Sequence, residues 1–159
     1  MSVAPASNAK PCLSCDLVNG IRQSTGGTIH ETNLFHAHQD FAYPIPGLVI
    51  LAAKRHFYGM DELSNEEADE LMSLLRRIRG VQRRVLGIDH VYYFYNEDTS
   101  HHFHVWMVPR YEWMRQFGKS VQAVRPSLIH SREHMATESN LEEVQACVTM
   151  LRDALSAEA

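Results

Sequence analysis

The sequence is short of cysteine, of net charge and of any long apolar run, and each shortage narrows what the chain can be. Three cysteines in 159 residues are too few for the disulfide framework of a small secreted scaffold. Two of them stand as Cys12-x-x-Cys15, a spacing that serves metal binding or thiol redox work in a chain without an export signal. No βαβ pattern surrounds the pair, which argues against a thioredoxin-like role. Residues Met1 to Lys10 lack the apolar core of a signal peptide. The longest aliphatic run, Leu48 to Ala53, falls far short of the ~20 residues a membrane-spanning helix needs. These absences point to a cytoplasmic protein with no membrane partner. A net charge of −4 with neutral histidines points away from a nucleic-acid polymer, whose binding domains read basic. Any nucleotide partner is then a small one held in a pocket.

What is present suits one α+β domain. Hydrophobic content of 45% and charged content of 21% are ordinary for a folded chain of this length. Residues 1–11 are expected to be a disordered leader, followed by a tight turn and short helix over Cys12–Gly20. Thr28–Thr32, Leu34–Gln39, Leu48–Lys54 and Val91–Tyr95 read as strands. Ser64-x-x-Glu67 is a capping box opening a long helix, with Leu71, Leu75, Ile78, Val81 and Val85 as its core stripe. Gly87 stands where that helix wants a left-handed end. The arginines of its last turns are expected on a solvated face. Tyr111–Val124 reads as helical or irregular, with Pro126 breaking it, and Asn140-x-x-Glu143 is expected to open a last helix. Its apolar stripe is Leu141, Val144, Val148, Leu151 and Leu155.

The chemistry concentrates in Ser100-His-His-Phe-His-Val-Trp-Met-Val-Pro-Arg110, which holds three of the ten histidines. On a strand, His102, His104 and Trp106 line one face. His102-x-His104 can grip one metal ion, can supply a nucleophile with a supporting partner, or can be incidental. Cys12, Cys15 and His56 are the unpaired ligand types elsewhere in the chain. His36 and His38 are expected to be structural or solvent-facing, and Cys147 a buried, inert thiol.

His102-Phe-His104-Val-Trp106-Met-Val-Pro-Arg110 resembles the signature of the histidine triad family of nucleotide hydrolases and transferases. The Cys12-Leu-Ser-Cys15 start, the His30–Asp40 hairpin and Gly47 to Lys54-Arg-His56 resemble that family too. The resemblance implies a five-stranded antiparallel sheet with a long helix over residues 12–110, a helical extension over 111–159 packed on the same domain, and a homodimer. It implies that His104 attacks the α-phosphorus of a nucleoside phosphate, dinucleoside polyphosphate or nucleoside phosphoramidate. Thr99 would lie beside the leaving group, while Asp40, Asn96 and His102 would contact the nucleotide, Asp40 through the ribose hydroxyls. It further implies a structural zinc on Cys12, Cys15, His56 and His102.

Trp106 stands where the family has its third histidine, and an indole N–H donates a hydrogen bond but cannot shuttle a proton. Hydrolysis, transfer and a zinc-stabilised nucleotide-binding module with little turnover therefore stay open. A metal enzyme using His102 and His104 together is a further alternative. The extension after Arg110 either covers the nucleotide pocket or widens the dimer interface.

Overall fold

A computed structural model describes residues 12–98 and 102–158 of the chain. The expected leader and Thr99 lie outside the described residues. Five strands form one antiparallel sheet: β1 (Thr28–Glu31), β2 (Phe35–His38), β3 (Val49–Ala53), β4 (Val91–Phe94) and β5 (His104–Pro109). Their order is β1-β2-β3-β5-β4, so the histidine strand sits inside the sheet with β4 as the edge. Every residue of β3 is buried, as expected of an apolar run covered on both faces.

Alternation divides the sheet into two faces. Phe35, Ala37, Val49, Leu51, Val105 and Met107 point into the main core. There they meet Leu71, Leu74, Ile78 and Val81 of α2 (Asn65–Leu86). Val148, Leu151 and Leu155 of α4 (Glu138–Ala157) complete it. The opposite face carries Ile50, Trp106 and Val108, covered by the loop residues Ile45 and Leu48, by Met114 and by Leu128. Leu128 belongs to α3 (Val121–His134). A short helix, α1 (Leu13–Val18), precedes the sheet.

Two helix boundaries differ from expectation. Pro126 lies inside α3 rather than ending it. It is the sixth helical residue, so the bond it forgoes belongs to the weakly tied first turns, and the buried Ala123, Val124, Ser127 and Ser131 hold the helix down. α4 opens at Glu138, where Thr137 Oγ1 accepts from Asn140 N–H at 3.3 Å. The Asn140 side chain instead donates to the carbonyls of Pro44 and Met135, at 2.7 and 2.8 Å. Its amide ties the helix start to the loop after β2 rather than capping it.

α2 follows its sequence signals closely. Ser64 and Glu67 form the reciprocal capping box, and Gly87 closes the helix at φ 66°. Three arginines of its last turns are tied down within the fold. Arg79 donates to the carbonyls of Ile88 and Asp89, Arg77 to that of Leu155, and Arg84 pairs with Glu158. No helix among the described residues is long and apolar enough to cross a membrane.

Glu67 has a second task. Its buried carboxylate accepts from Arg55 Nε at 2.9 Å and Nη2 at 2.8 Å, a bidentate pair that anchors the segment carrying His56 to the start of α2. The Arg55 guanidinium holds the Glu67 carboxyl at about 2, against an ordinary 4.5. Its folded value is depressed, so the stabilisation is present above pH 4.5 and is lost as pH falls towards 2. Glu67→Gln is expected to cost roughly 1–3 kcal/mol at pH 7 and to flatten the acid limb of the stability curve between those values. Urea denaturation of both proteins across that range measures it, and parallel curves would contradict it.

Candidate functional site

His104 stands across β3 from Ala52, which in turn faces His36. One row further along the sheet, Trp106 lies between Ile50 and Phe94. His104 Nδ1 lies 2.8 Å from the carbonyl oxygen of His102. A carbonyl can only accept, so Nδ1 carries the proton and Nε2 keeps its lone pair. That is the nitrogen a nucleophilic imidazole needs.

The ring faces a cavity of about 630 Å³ between the sheet and α3. Phe94, Asn96, Asp98, His104 and Trp106 form its floor and one wall. Tyr43 and the α3 residues Val124, Arg125, Leu128, Ile129 and Arg132 form the rest. Trp106 meets Tyr43 edge-on, with ring centroids 5.0 Å apart, and, like Leu128 of α3, packs against the smaller core. Its Nε1 is buried and has no hydrogen-bond partner among the described residues. The third motif position therefore serves as a seat for α3, which covers the His104 face.

The other expected nucleotide contacts are only partly gathered here. Asn96 is on the cavity wall. Asp40 is not among the lining residues. Its Oδ1 accepts from Ala42 N–H at 2.9 Å and from the Thr25 hydroxyl at 3.2 Å, the bonding of a turn. Of the two acids in the β4–β5 connection, Glu97 is turned away to accept from the Tyr95 hydroxyl and Met60 N–H, while Asp98 lines the cavity. Arg110 donates to the Tyr92 hydroxyl at 3.1 Å. His36 and His38 are not solvent-facing: each is only 5% exposed, on the same sheet face as His104. Burial pushes His38 down to about 3, so it is a neutral ring, with its Nδ1 3.2 Å from His36 Nδ1.

The second constellation lies where α1 approaches the end of β3. Cys12 is the N-cap of α1, and its Sγ accepts from Cys15 N–H at 3.3 Å. Cys15 Sγ meets both His56 and His102, Cys12 Sγ meets His102, and the four candidate ligand atoms lie within 4.8 Å of one another. His102 is 2% exposed and its Nε2 donates to the Ala53 carbonyl, which turns the Nδ1 lone pair towards the sulfurs. Both ring nitrogens are thereby committed, so the ring expected to touch nucleotide as well reaches His104 only through its own carbonyl.

The donor set fits zinc. A tetrahedron with Zn–N of about 2.0 Å and Zn–S of about 2.3 Å has edges of about 3.3 Å between nitrogens and about 3.5 Å between nitrogen and sulfur. The two Nδ1 atoms are 3.1 Å apart, Cys15 Sγ is 3.1 and 3.4 Å from them, and Cys12 Sγ is 3.6 Å from His102 Nδ1. His102 Nδ1 presents a lone pair there, and a cation held between the rings would take one nitrogen from each. Burial and the neighbouring Cys12 push the Cys15 thiol up to about 11, and a divalent cation between the sulfurs would deprotonate it. The Ala53 carbonyl is the outer partner that orients one imidazole ligand.

No family model and no curated protein matches the chain. Solved structures do. A zinc-bound histidine triad family protein from Mycobacterium smegmatis aligns with a TM-score of 0.66 and 18% identity, over 92% of this chain and 94% of that one. The chain has the histidine triad fold. A hypothetical histidine triad nucleotide-binding protein from Sulfolobus tokodaii aligns at 0.65 and 17%, covering 92% and 93%. A histidine triad family hydrolase from Legionella pneumophila aligns at 0.52 and 18%, over 64% of this chain and 95% of that one. Histidine triad proteins that cover 92% of this chain necessarily reach into its last two helices, whereas the Legionella hydrolase is spanned by a shorter stretch.

The cavity residues from α3 and Tyr43 were not singled out in the sequence. Their signal was weak but present: Val124, Leu128 and Ser131 recur at helical spacing, and Arg125 and Arg132 are two turns apart on one face. Pro126 hid it. Trp106→Ala is expected to cost roughly 2–4 kcal/mol and to speed hydrogen exchange in α3 ahead of α2. Exchange in α3 that stays unchanged would contradict its role as the helix's seat.

Proposed function

We propose that the chain is a nucleotide phosphate hydrolase or nucleotidyl transferase that works through a covalent His104 intermediate. The observation that carries this is the His104 tautomer: Nδ1–H is spent on the His102 carbonyl, and the ring lines a cavity with aromatic and cationic walls. Tyr43, Phe94 and Trp106 suit a nucleobase, and Arg125 and Arg132 suit phosphate. The nucleotide-binding description of the Sulfolobus protein and the hydrolase description of the Legionella protein agree with the proposal.

In the first step His104 Nε2 forms a bond to the α-phosphorus while the bond from phosphorus to the leaving group breaks. The electron pair departs with the leaving group. In the second, a water or phosphate oxygen attacks phosphorus, the P–N bond breaks, and its pair returns to Nε2, while the proton of an attacking water passes to solvent. Splitting one displacement into two is the gain, and charge on the phosphoryl oxygens is met by fixed donors. Asn96 and Thr99 are assigned to the phosphoryl side. Asp40 is assigned to the ribose hydroxyls through Oδ2, since Oδ1 holds the turn.

His104→Ala is expected to abolish release of nucleoside monophosphate and the nucleotidyl adduct seen by intact-protein mass spectrometry. Turnover surviving in that variant would overturn the assignment. A nucleotide binder with little turnover is the alternative, favoured by Trp106 in the third motif position. In that case tight nucleotide binding would appear with no adduct.

Zinc is assigned a structural part, held by Cys12, Cys15, His56 and His102 and joining α1 to the approach of β5. One equivalent of zinc per chain is expected by elemental analysis. Cys15→Ser should remove it and lower the melting temperature by several degrees; zinc retained at full stoichiometry would contradict the ligand set. Homodimerisation is assigned to the β4 edge, where exposed Tyr93 and Met72 border an apolar groove on α2.

A further inference from the structure

The motif lacks the residue that would protonate a departing group, yet the cavity over His104 carries two cations. Arg125 and Arg132 both line it, from the same face of α3. Seven residues of helix separate their Cα atoms by about 10 Å, a span that a chain of phosphates can bridge once two flexible side chains reach inward. Neither arginine is in an ion pair among the described residues. Arg132 is held loosely over the Tyr43 ring, with Cζ 5.8 Å from its centroid, so its guanidinium is kept at the cavity. Among the described residues Asp98 is the single carboxylate on the lining, which leaves that wall net positive.

A leaving group can be helped in two ways: by giving it a proton, or by neutralising its charge. Trp106 offers neither proton transfer nor, through a buried Nε1, a donor at the cavity surface. Guanidinium groups do the second. They hold an anionic phosphate bidentately and do not titrate near neutral pH. An amine leaves well only when protonated, whereas a phosphate leaves as a stable anion.

Resting on the covalent His104 reading, we propose that Arg125 and Arg132 form a polyphosphate subsite. It selects nucleotides whose leaving group is itself a phosphate, such as dinucleoside polyphosphates, over nucleoside phosphoramidates. When the P–O bond breaks, the electron pair stays on the leaving phosphate oxygen, and the two guanidiniums take up that charge without any proton transfer. α3 thereby supplies what the third motif position does not. Trp106 and α3 line the same cavity, which ties the two features together.

The test uses the full chain and inorganic tripolyphosphate, measured by calorimetry, beside turnover of a dinucleoside polyphosphate and of adenosine 5′-phosphoramidate. Wild type should bind tripolyphosphate, and the double variant Arg125→Gln/Arg132→Gln should bind it at least ten-fold more weakly. His104→Ala should retain that binding. In turnover, the wild-type preference in kcat/KM for the polyphosphate should fall at least ten-fold in the double variant, since charge neutralisation matters more to that leaving group. Arg125→Lys/Arg132→Lys should restore part of it. Tripolyphosphate binding that survives the double variant overturns the subsite, as does a preference for the phosphoramidate in wild type. If wild type binds tripolyphosphate through the arginines but forms no adduct, the subsite stands and the covalent reading fails. Unchanged circular dichroism and melting of the double variant shows that the loss is not one of folding.

Discussion

The Ala53 carbonyl accepts a hydrogen bond from His102 Nε2–H, and two residues later the His102 carbonyl accepts one from His104 Nδ1–H. Backbone carbonyls have no alternative but to accept, so these two bonds dictate opposite tautomers in rings of the same motif. One ring turns its lone pair to the sulfurs of Cys12 and Cys15. The other turns its lone pair to a cavity under α3. The separation of a metal-ligating cluster from a nucleophile-bearing cavity follows from the backbone: His102 stands in a bend before β5, which begins at His104, so the two rings do not share a strand face.

That geometry needs support from both sides of β5. β3 fixes the register through Ala52 opposite His104 and Ile50 opposite Trp106. The loop that carries His56 is tied to α2 by Arg55 and Glu67, so one ligand of the cluster is positioned by the capping box of the longest helix. On the other face, an indole fills the place of an imidazole, meets Tyr43 and packs against the same small core as Leu128. Apolar area is exchanged there for a titratable group, and the helix it seats brings two guanidiniums to the same cavity.

Much of this was legible in the sequence because the signals are local. Period-two alternation specifies β2 and β5, a continuous apolar run specifies β3, and a capping box with a left-handed glycine specifies α2. The Cys12–Cys15 spacing pointed to metal or thiol work, and the family resemblance added His56 and His102; the four do come together. Long-range and compensated features were hidden. The burial of His36 and His38 depends on what covers the far face of the sheet, which no local pattern states. Pro126 reads as a helix breaker, yet it falls early enough in α3 for tertiary packing to carry it. The Asn140 amide serves a loop carbonyl 96 residues away in sequence, so the helix start moves to Thr137. The placement of Arg125 and Arg132 over His104 then depended on α3 being a helix at all.

The claim that most depends on physics is that neighbouring motif histidines carry opposite tautomers because they serve two separate sites. Long-range ¹H–¹⁵N correlation of the imidazole nitrogens, recorded on zinc-loaded protein at neutral pH with His102 and His104 assigned by substitution, reads this directly. His102 should be protonated at Nε2 with a metal-shifted Nδ1, and His104 protonated at Nδ1 with a free Nε2. A His104 ring protonated at Nε2, or the same tautomer in both rings, would contradict it.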